Sequence, residues 1–140
     1  MSGLAYAVTP DPSPVDAVEL SPEKVAAAMR AFFQIATLWN ISNERAQQLL
    51  GRPARSTFYK WKRGRVTGVP HDTVRRLSYV LGIYKALQIL FKAPAQADAW
   101  VHRPNAAFGG GSAFERMLAG DVTDLAAVRR YLDAVRGQGA

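Results

Sequence analysis

The sequence predicts an all-α fold: a helical bundle that contains a helix-turn-helix and is followed by a smaller helical domain. Three observations support this. Apolar residues recur at intervals of three and four in several separate segments. Serine, proline and glycine sit where such segments should start and stop. No stretch alternates apolar and polar residues with period two, so no strand is expected.

The elements follow in order. Residues 1–20 carry Pro10, Pro12 and Pro14 among small and acidic residues, the composition of a flexible arm. "SPEK" at 21–24 starts a helix, with Ser21 as N-cap and Pro22 at the first helical position. Val25, Met29, Phe32, Ala36 and Trp39 give it one buried face, and Asn40 ends it. Ser42 caps the next helix, "NERAQQLL", which closes at Gly51. "RPARS" is a turn, because Pro53 disfavours a helical conformation at Arg52. Ser56 is placed to cap a third helix, "TFYKWKRG", which Gly64 stops.

"RVTGVP" is a connector, and Pro70 opens a long fourth helix. Its stripe is Val74, Leu77, Leu81, Tyr84 and Phe91, thickened by Val80, Ile83, Leu87 and Leu90. Composition changes after "FKAPAQAD". Residues 99–120 hold Pro104 and three consecutive glycines, Gly109 to Gly111, which require a bent loop. Ser112 caps a short helix that ends at Gly120. Asp121 or Thr123 caps the last helix, whose seam is Leu125, Val128, Leu132 and Val135; Gly137 and Gly139 leave a flexible terminus. The expected organisation is an arm over 1–20, a helix-turn-helix and dimerisation region over 21–92, and a second domain over 93–140.

At 140 residues and 49% apolar, the chain can bury a real core. With no cysteine it has no disulfide, thiolate ligand or cysteine nucleophile, which fits a reducing compartment. The first twenty residues lack the basic and apolar regions of a signal peptide, and no segment has the apolar length of a membrane span. A cytoplasmic protein with no membrane partner is expected.

The net charge is +7, and its placement is informative. Residues 52–76 carry Arg52, Arg55, Lys60, Lys62, Arg63, Arg65, Arg75 and Arg76 against Asp72 alone, a local excess equal to the charge of the whole chain. An ordinary solvated face mixes both signs. One that lacks acids is the footprint of a polyanion site. In "RSTFYKWKRG" the rings of Phe58 and Trp61 are three apart and face the core, so the polar residues are displayed outward. The expected DNA-contacting set is Arg52, Arg55, Ser56, Thr57, Tyr59, Lys60, Lys62, Arg63 and Arg65. The cations near the rims neutralise phosphates, an arginine in the groove pairs with guanine, and Thr57 touches a thymine methyl. An RNA reading is weaker, since the rings have core spacing rather than that of a strand platform.

"ERAQQLLGRPARSTFYKWKRG", "TVRRLSYVLGIYKALQILF", "WVHRPNAAFGG" and "LAAVRRYLD" together resemble the Xre–MbcA–ParS antitoxins over residues 21–136. The most specific part is the Trp…Arg-Pro-Asn…Phe-Gly-Gly loop that follows the "GIYKALQILF" helix. The resemblance implies an amino-terminal DNA-binding region and a carboxy-terminal domain that binds a RES-domain toxin, one that degrades NAD or transfers ADP-ribose from it. It implies that the antitoxin neutralises the toxin and represses their shared operon. The toxin-contacting set expected from it is Trp100, His102, Arg103, Asn105, Phe108, Gly109, Gly110, Arg129 and Arg136, with the terminal "RGQGA" reaching the toxin's cleft. Measured from Gly51, Phe58 and Trp61 fall one residue later than in phage-repressor-type helix-turn-helices, so the turn is expected to be one residue longer.

No catalytic or cofactor chemistry is expected. His71 and His102 have no partner at metal-ligand spacing; His71 reads as a helix-start residue and His102 as an exposed loop residue. "GGGS" lacks the lysine of a phosphate-binding loop and does not match a nucleophile elbow. A homodimer is expected, because one helix-turn-helix offers few base contacts. The alternatives left open are a stand-alone repressor whose carboxy-terminal domain only oligomerises, and a nucleoid-associated or RNA-binding helper.

Overall fold

The computed structural model describes residues 20–139, so the expected arm lies outside the described residues apart from Leu20. Those residues form seven α-helices and one 3₁₀ turn, with no strand beyond an isolated bridge between Pro104 and Ser112. Helix α1 (Pro22–Leu38) is capped by Ser21, whose hydroxyl accepts from the Lys24 amide at 3.3 Å. It buries Met29, Phe32, Ile35 and Ala36, and Trp39 closes it. Asn40, at φ 55°, then turns the chain.

Helix α2 (Asn43–Leu49) is capped by Ser42, which accepts from the Arg45 amide at 3.2 Å. The turn after it puts two successive residues in the left-handed region, Gly51 at φ 90° and Arg52 at φ 61°. At Gly51 the left-handed backbone disfavours a side chain, and a Cβ there would also crowd Arg76 Nε at 3.0 Å and Asp72 Oδ2 at 3.1 Å. The Gln47 side chain donates to the Pro53 carbonyl at 2.7 Å and closes the turn.

Helix α3 (Arg55–Lys62) begins earlier than expected. Its N-cap is Ala54, which offers no side-chain acceptor, and Ser56 falls inside the first turn and does not cap. Arg52, just before Pro53, takes the left-handed conformation, and the chain re-enters extended geometry at Ala54, one residue too soon for Ser56 to serve.

Helix α4 (His71–Leu90) is the wall that both halves share, packing against α1 on one side and against the carboxy-terminal helices on the other. That placement shifts the buried face. Leu77, Val80, Ile83, Ala86 and Leu87 are its centre, while Val74, Leu81, Tyr84 and Phe91 are only half-buried.

Helix α5 (Pro94–Trp100) was not expected. Pro94 at its first turn and an alanine-rich run support it, and Ala97 is buried. A 3₁₀ turn (Ala106–Phe108) follows, then α6 (Ala113–Met117), held by a full capping box between Ser112 and Glu115. The last helix, α7 (Val122–Gly139), starts at Asp121, whose carboxylate accepts from the Thr123 amide at 3.4 Å. It runs through Gly137 to Gly139, where a flexible end was expected; a glycine costs a helix only about 1 kcal/mol, too little to end it alone. One hydrophobic core, from Met29 to Leu132, runs through both halves.

Candidate nucleic-acid and partner-binding surfaces

The helix-turn-helix is built from the inside outward. Phe58 and Trp61 are fully buried, and Phe58 meets Phe33 of α1 edge-on at 5.4 Å. Trp61 donates from its indole nitrogen to the Thr67 carbonyl at 3.2 Å, tying the connector beneath the helix. With the rings inside, α3 presents Arg55, Ser56, Lys62 and Arg63 to solvent, flanked by Arg52 and Arg65.

The expected cations are not equivalent. Arg76 is only 6% exposed and leaves the patch for the interior, where it pairs with Asp72 at 2.7 Å. Arg75 is half-buried. Lys60 is half-buried too and reaches the Thr67 hydroxyl at 3.3 Å, while Lys62 donates across to Asn43 Oδ1 at 2.5 Å and braces α3 on the start of α2. The Arg55 guanidinium lies over the Tyr59 ring, 5.3 Å from its centroid, which orients it beside the amino end of α3. Tyr59 and Thr57 are half-buried. The surface that remains is a cationic ridge along α3 and the turn before it.

The second set of expected residues lies on α5, the loop after it and α7. Trp100 is not on the glycine-bent loop; it ends α5. Its ring stacks on Tyr131 of α7 at 6.1 Å and 17°. Phe108 meets Tyr131 edge-on at 5.3 Å and Trp100 at 6.3 Å, so three half-buried rings lean on one another. Tyr131 was missed. The signal for it was its position three residues after Val128, at the edge of the apolar seam.

Asn105 organises the loop. Its side chain accepts from the Ala107 amide at 2.9 Å, its amide donates to the Gly111 carbonyl at 2.9 Å, and its carbonyl accepts from Phe108 and Gly110. Gly109 and Gly110, at φ 68° and 90°, complete the reversal. The segment is therefore a closed, internally bonded loop, and "GGGS" is part of its shape.

His102 is an exposed loop residue, as expected, but it is bonded. Its Nε2 lies 2.6 Å from the Trp39 carbonyl, and since a carbonyl only accepts, that nitrogen carries the proton. The ring also rests edge-on against Phe114 at 5.1 Å. Arg129 is likewise seated: its guanidinium fills the space beside Gly82, where a Cβ would overlap it, and it pairs with Asp133 at 3.2 Å. Arg103 and Arg136 remain exposed. Among the described residues, no group of three or more His, Asp or Glu side chains is arranged to hold a metal ion. No described helix is long and apolar enough to cross a membrane.

Two family models match the chain. Residues 16–82 match the antitoxin Xre-like helix-turn-helix domain, and residues 86–137 match the antitoxin Xre/MbcA/ParS carboxy-terminal toxin-binding domain. A curated relative, the uncharacterized protein y4oB of Sinorhizobium fredii (strain NBRC 101917 / NGR234), is 52% identical over 114 residues, 81% of this chain and 88% of the relative. No solved structure matches.

Proposed function

Since the chain belongs to the Xre/MbcA/ParS antitoxin family, we propose that it neutralises a cognate RES-domain toxin that consumes NAD, and represses the operon encoding both. The observation that carries this reading is the cluster of Trp100 on α5, Phe108 on the hydrogen-bonded loop and Tyr131 on α7, three half-buried rings that lean on one another. Rings held rigidly at a surface bury large apolar area in a partner's pocket at little entropic cost, and such anchors dominate interface energetics. Arg103, in the loop after α5, and Arg136, on α7, are exposed cations. The mechanism is occlusion of the toxin's NAD cleft, with no chemistry by the antitoxin itself.

The cationic ridge holds operator DNA. Arg52, Arg55, Lys62, Arg63 and Arg65 neutralise phosphates, and Arg55, oriented by Tyr59, is the residue best placed to read a base. The working unit is a homodimer in the cytoplasm, because paired half-sites supply the base contacts that one helix-turn-helix lacks. Co-expression with the RES-domain protein of the neighbouring reading frame tests this. The expected result is a complex that co-purifies and restores both growth and cellular NAD. A toxin that stays active and unbound beside the folded chain refutes the reading. Point variants suit this test better than truncation, because α7 shares the core with α4.

A further inference from the structure

Helix α2 is tied on either side to residues outside the α2–α3 pair. Before it, the Trp39 carbonyl at the end of α1, three residues ahead of the Ser42 cap, accepts from His102 at 2.6 Å. His102 is itself fixed to the carboxy-terminal half, by its edge contact with Phe114 and by the Phe114 amide, which donates to the Val101 carbonyl at 2.8 Å. At the other end, the Leu50 carbonyl accepts from the Thr73 hydroxyl at 3.2 Å, and Gly51 sits directly against Arg76 and Asp72. Arg76 then reaches past the turn and donates through Nη2 to the Gly120 carbonyl at 3.1 Å, just before α7.

The identity of Arg76 is informative. Its Nη1 is buried without a hydrogen-bond partner, so the guanidinium is costly where it stands. A well-packed apolar side chain would serve stability as well or better. What arginine adds is reach: one planar group touches Asp72, backs Gly51 and grips Gly120.

We propose that the carboxy-terminal half positions the α2–α3 pair, with His102 and Arg76 as positioning residues that fix the chain just before and just after α2. The spacing between α2 and α3 that a duplex meets then depends on residues 102–120. The proposal rests on the DNA-binding reading above. It makes the toxin-binding loop and the cationic ridge two ends of one bonded path: Phe114–His102–Trp39 on one side, Gly120–Arg76–Gly51 on the other.

The test uses the full chain, with amide hydrogen exchange resolved over residues 40–54. Affinity is measured in parallel for a labelled duplex carrying the DNA upstream of the chain's own reading frame. His102→Leu keeps bulk against Phe114 and removes the donor; His102→Gln restores a donor. With unchanged circular dichroism, His102→Leu is expected to speed exchange at 40–54 by about threefold to tenfold and to weaken duplex binding by a similar factor, the worth of one hydrogen bond. His102→Gln recovers most of both. Arg76→Lys, which cannot reach Asp72 and Gly120 together, gives the same pair of changes from the other end. Arg130→Ala, at an exposed position on α7, moves neither. Unchanged exchange in folded His102→Leu overturns the proposal, and so does faster exchange with unaltered duplex affinity. If the unmodified chain binds no duplex, the DNA reading itself falls, and the exchange measurement alone decides whether α2 is held from the carboxy-terminal half.

Discussion

In α3 the rings of Phe58 and Trp61 are 0% and 2% exposed and the cations stand outside them, whereas in the carboxy-terminal half Trp100, Phe108 and Tyr131 stay half-exposed and support one another. On the proposed function, the same residue class serves the fold in one region and a partner in the other. The difference follows from what each surface must meet. A duplex is a polyanion, so the contact residues are cations and the rings serve as their foundation. A protein cleft is apolar and shaped, so the rings themselves become the contact.

The sharpest way to break this contrast is to remove one ring from each region. Trp61→Ala empties a sealed site and loses the indole bond to Thr67, so chemical denaturation is expected to show a loss of about 3–5 kcal/mol. Phe108→Ala is expected to cost stability no more than about 1–2 kcal/mol, because its ring is only half-buried. The same variant should weaken toxin binding by about 2 kcal/mol, read by calorimetry on the folded protein. Equal stability losses for the two variants, with toxin affinity intact, erase the distinction.

Two smaller effects refine it. Lys62→Ala and Arg63→Ala are each expected to lower the logarithmic salt slope of duplex binding by about one unit and to leave toxin affinity alone. Because Lys62 also bonds Asn43, its loss should be the more disruptive of the two. A salt slope that does not move removes the ridge from the DNA site. Ala54→Asp is the finest probe. It supplies the cap that α3 lacks and should raise stability by about 1 kcal/mol, yet it places an anion beside the ridge and should weaken duplex binding. A gain in both properties would falsify the placement of DNA at that end of the helix.

The helices were legible where local chemistry decides them. Ser21, Ser42 and Ser112 cap as their positions require, and Phe58, Trp61, Leu125, Val128 and Leu132 are buried as their spacing indicates. What was not legible depends on distant neighbours. The centre of the α4 face moved because α1 and α7 press on it from two sides, which no pattern within α4 encodes. Arg76 counted as surface charge in the sequence and became an interior strut, because its partner Gly120 is 44 residues away. His102 is the exposed loop residue its sequence indicates, but its bond to Trp39, 63 residues earlier, left no local signal. The ring cluster was two-thirds visible: Trp100 and Phe108 stand near unusual loop residues, but Tyr131 reads as an ordinary helical position until the fold brings α7 beside α5.

Gly82 offers a last lesson, about inheritance. Its missing side chain leaves the socket that the Arg129 guanidinium occupies, so α4 and α7 fit as lock and key at this point. A gene that exchanges its carboxy-terminal segment with a relative, to acquire a new toxin specificity, must therefore bring a compatible α7 or revise α4 as well. A crossover placed at the connector after α4 splits the socket from its occupant. A side chain at 82 would make the flexible Arg129 swing its guanidinium aside, so recombinants that keep glycine at 82 with arginine at 129 are expected to hold this contact best.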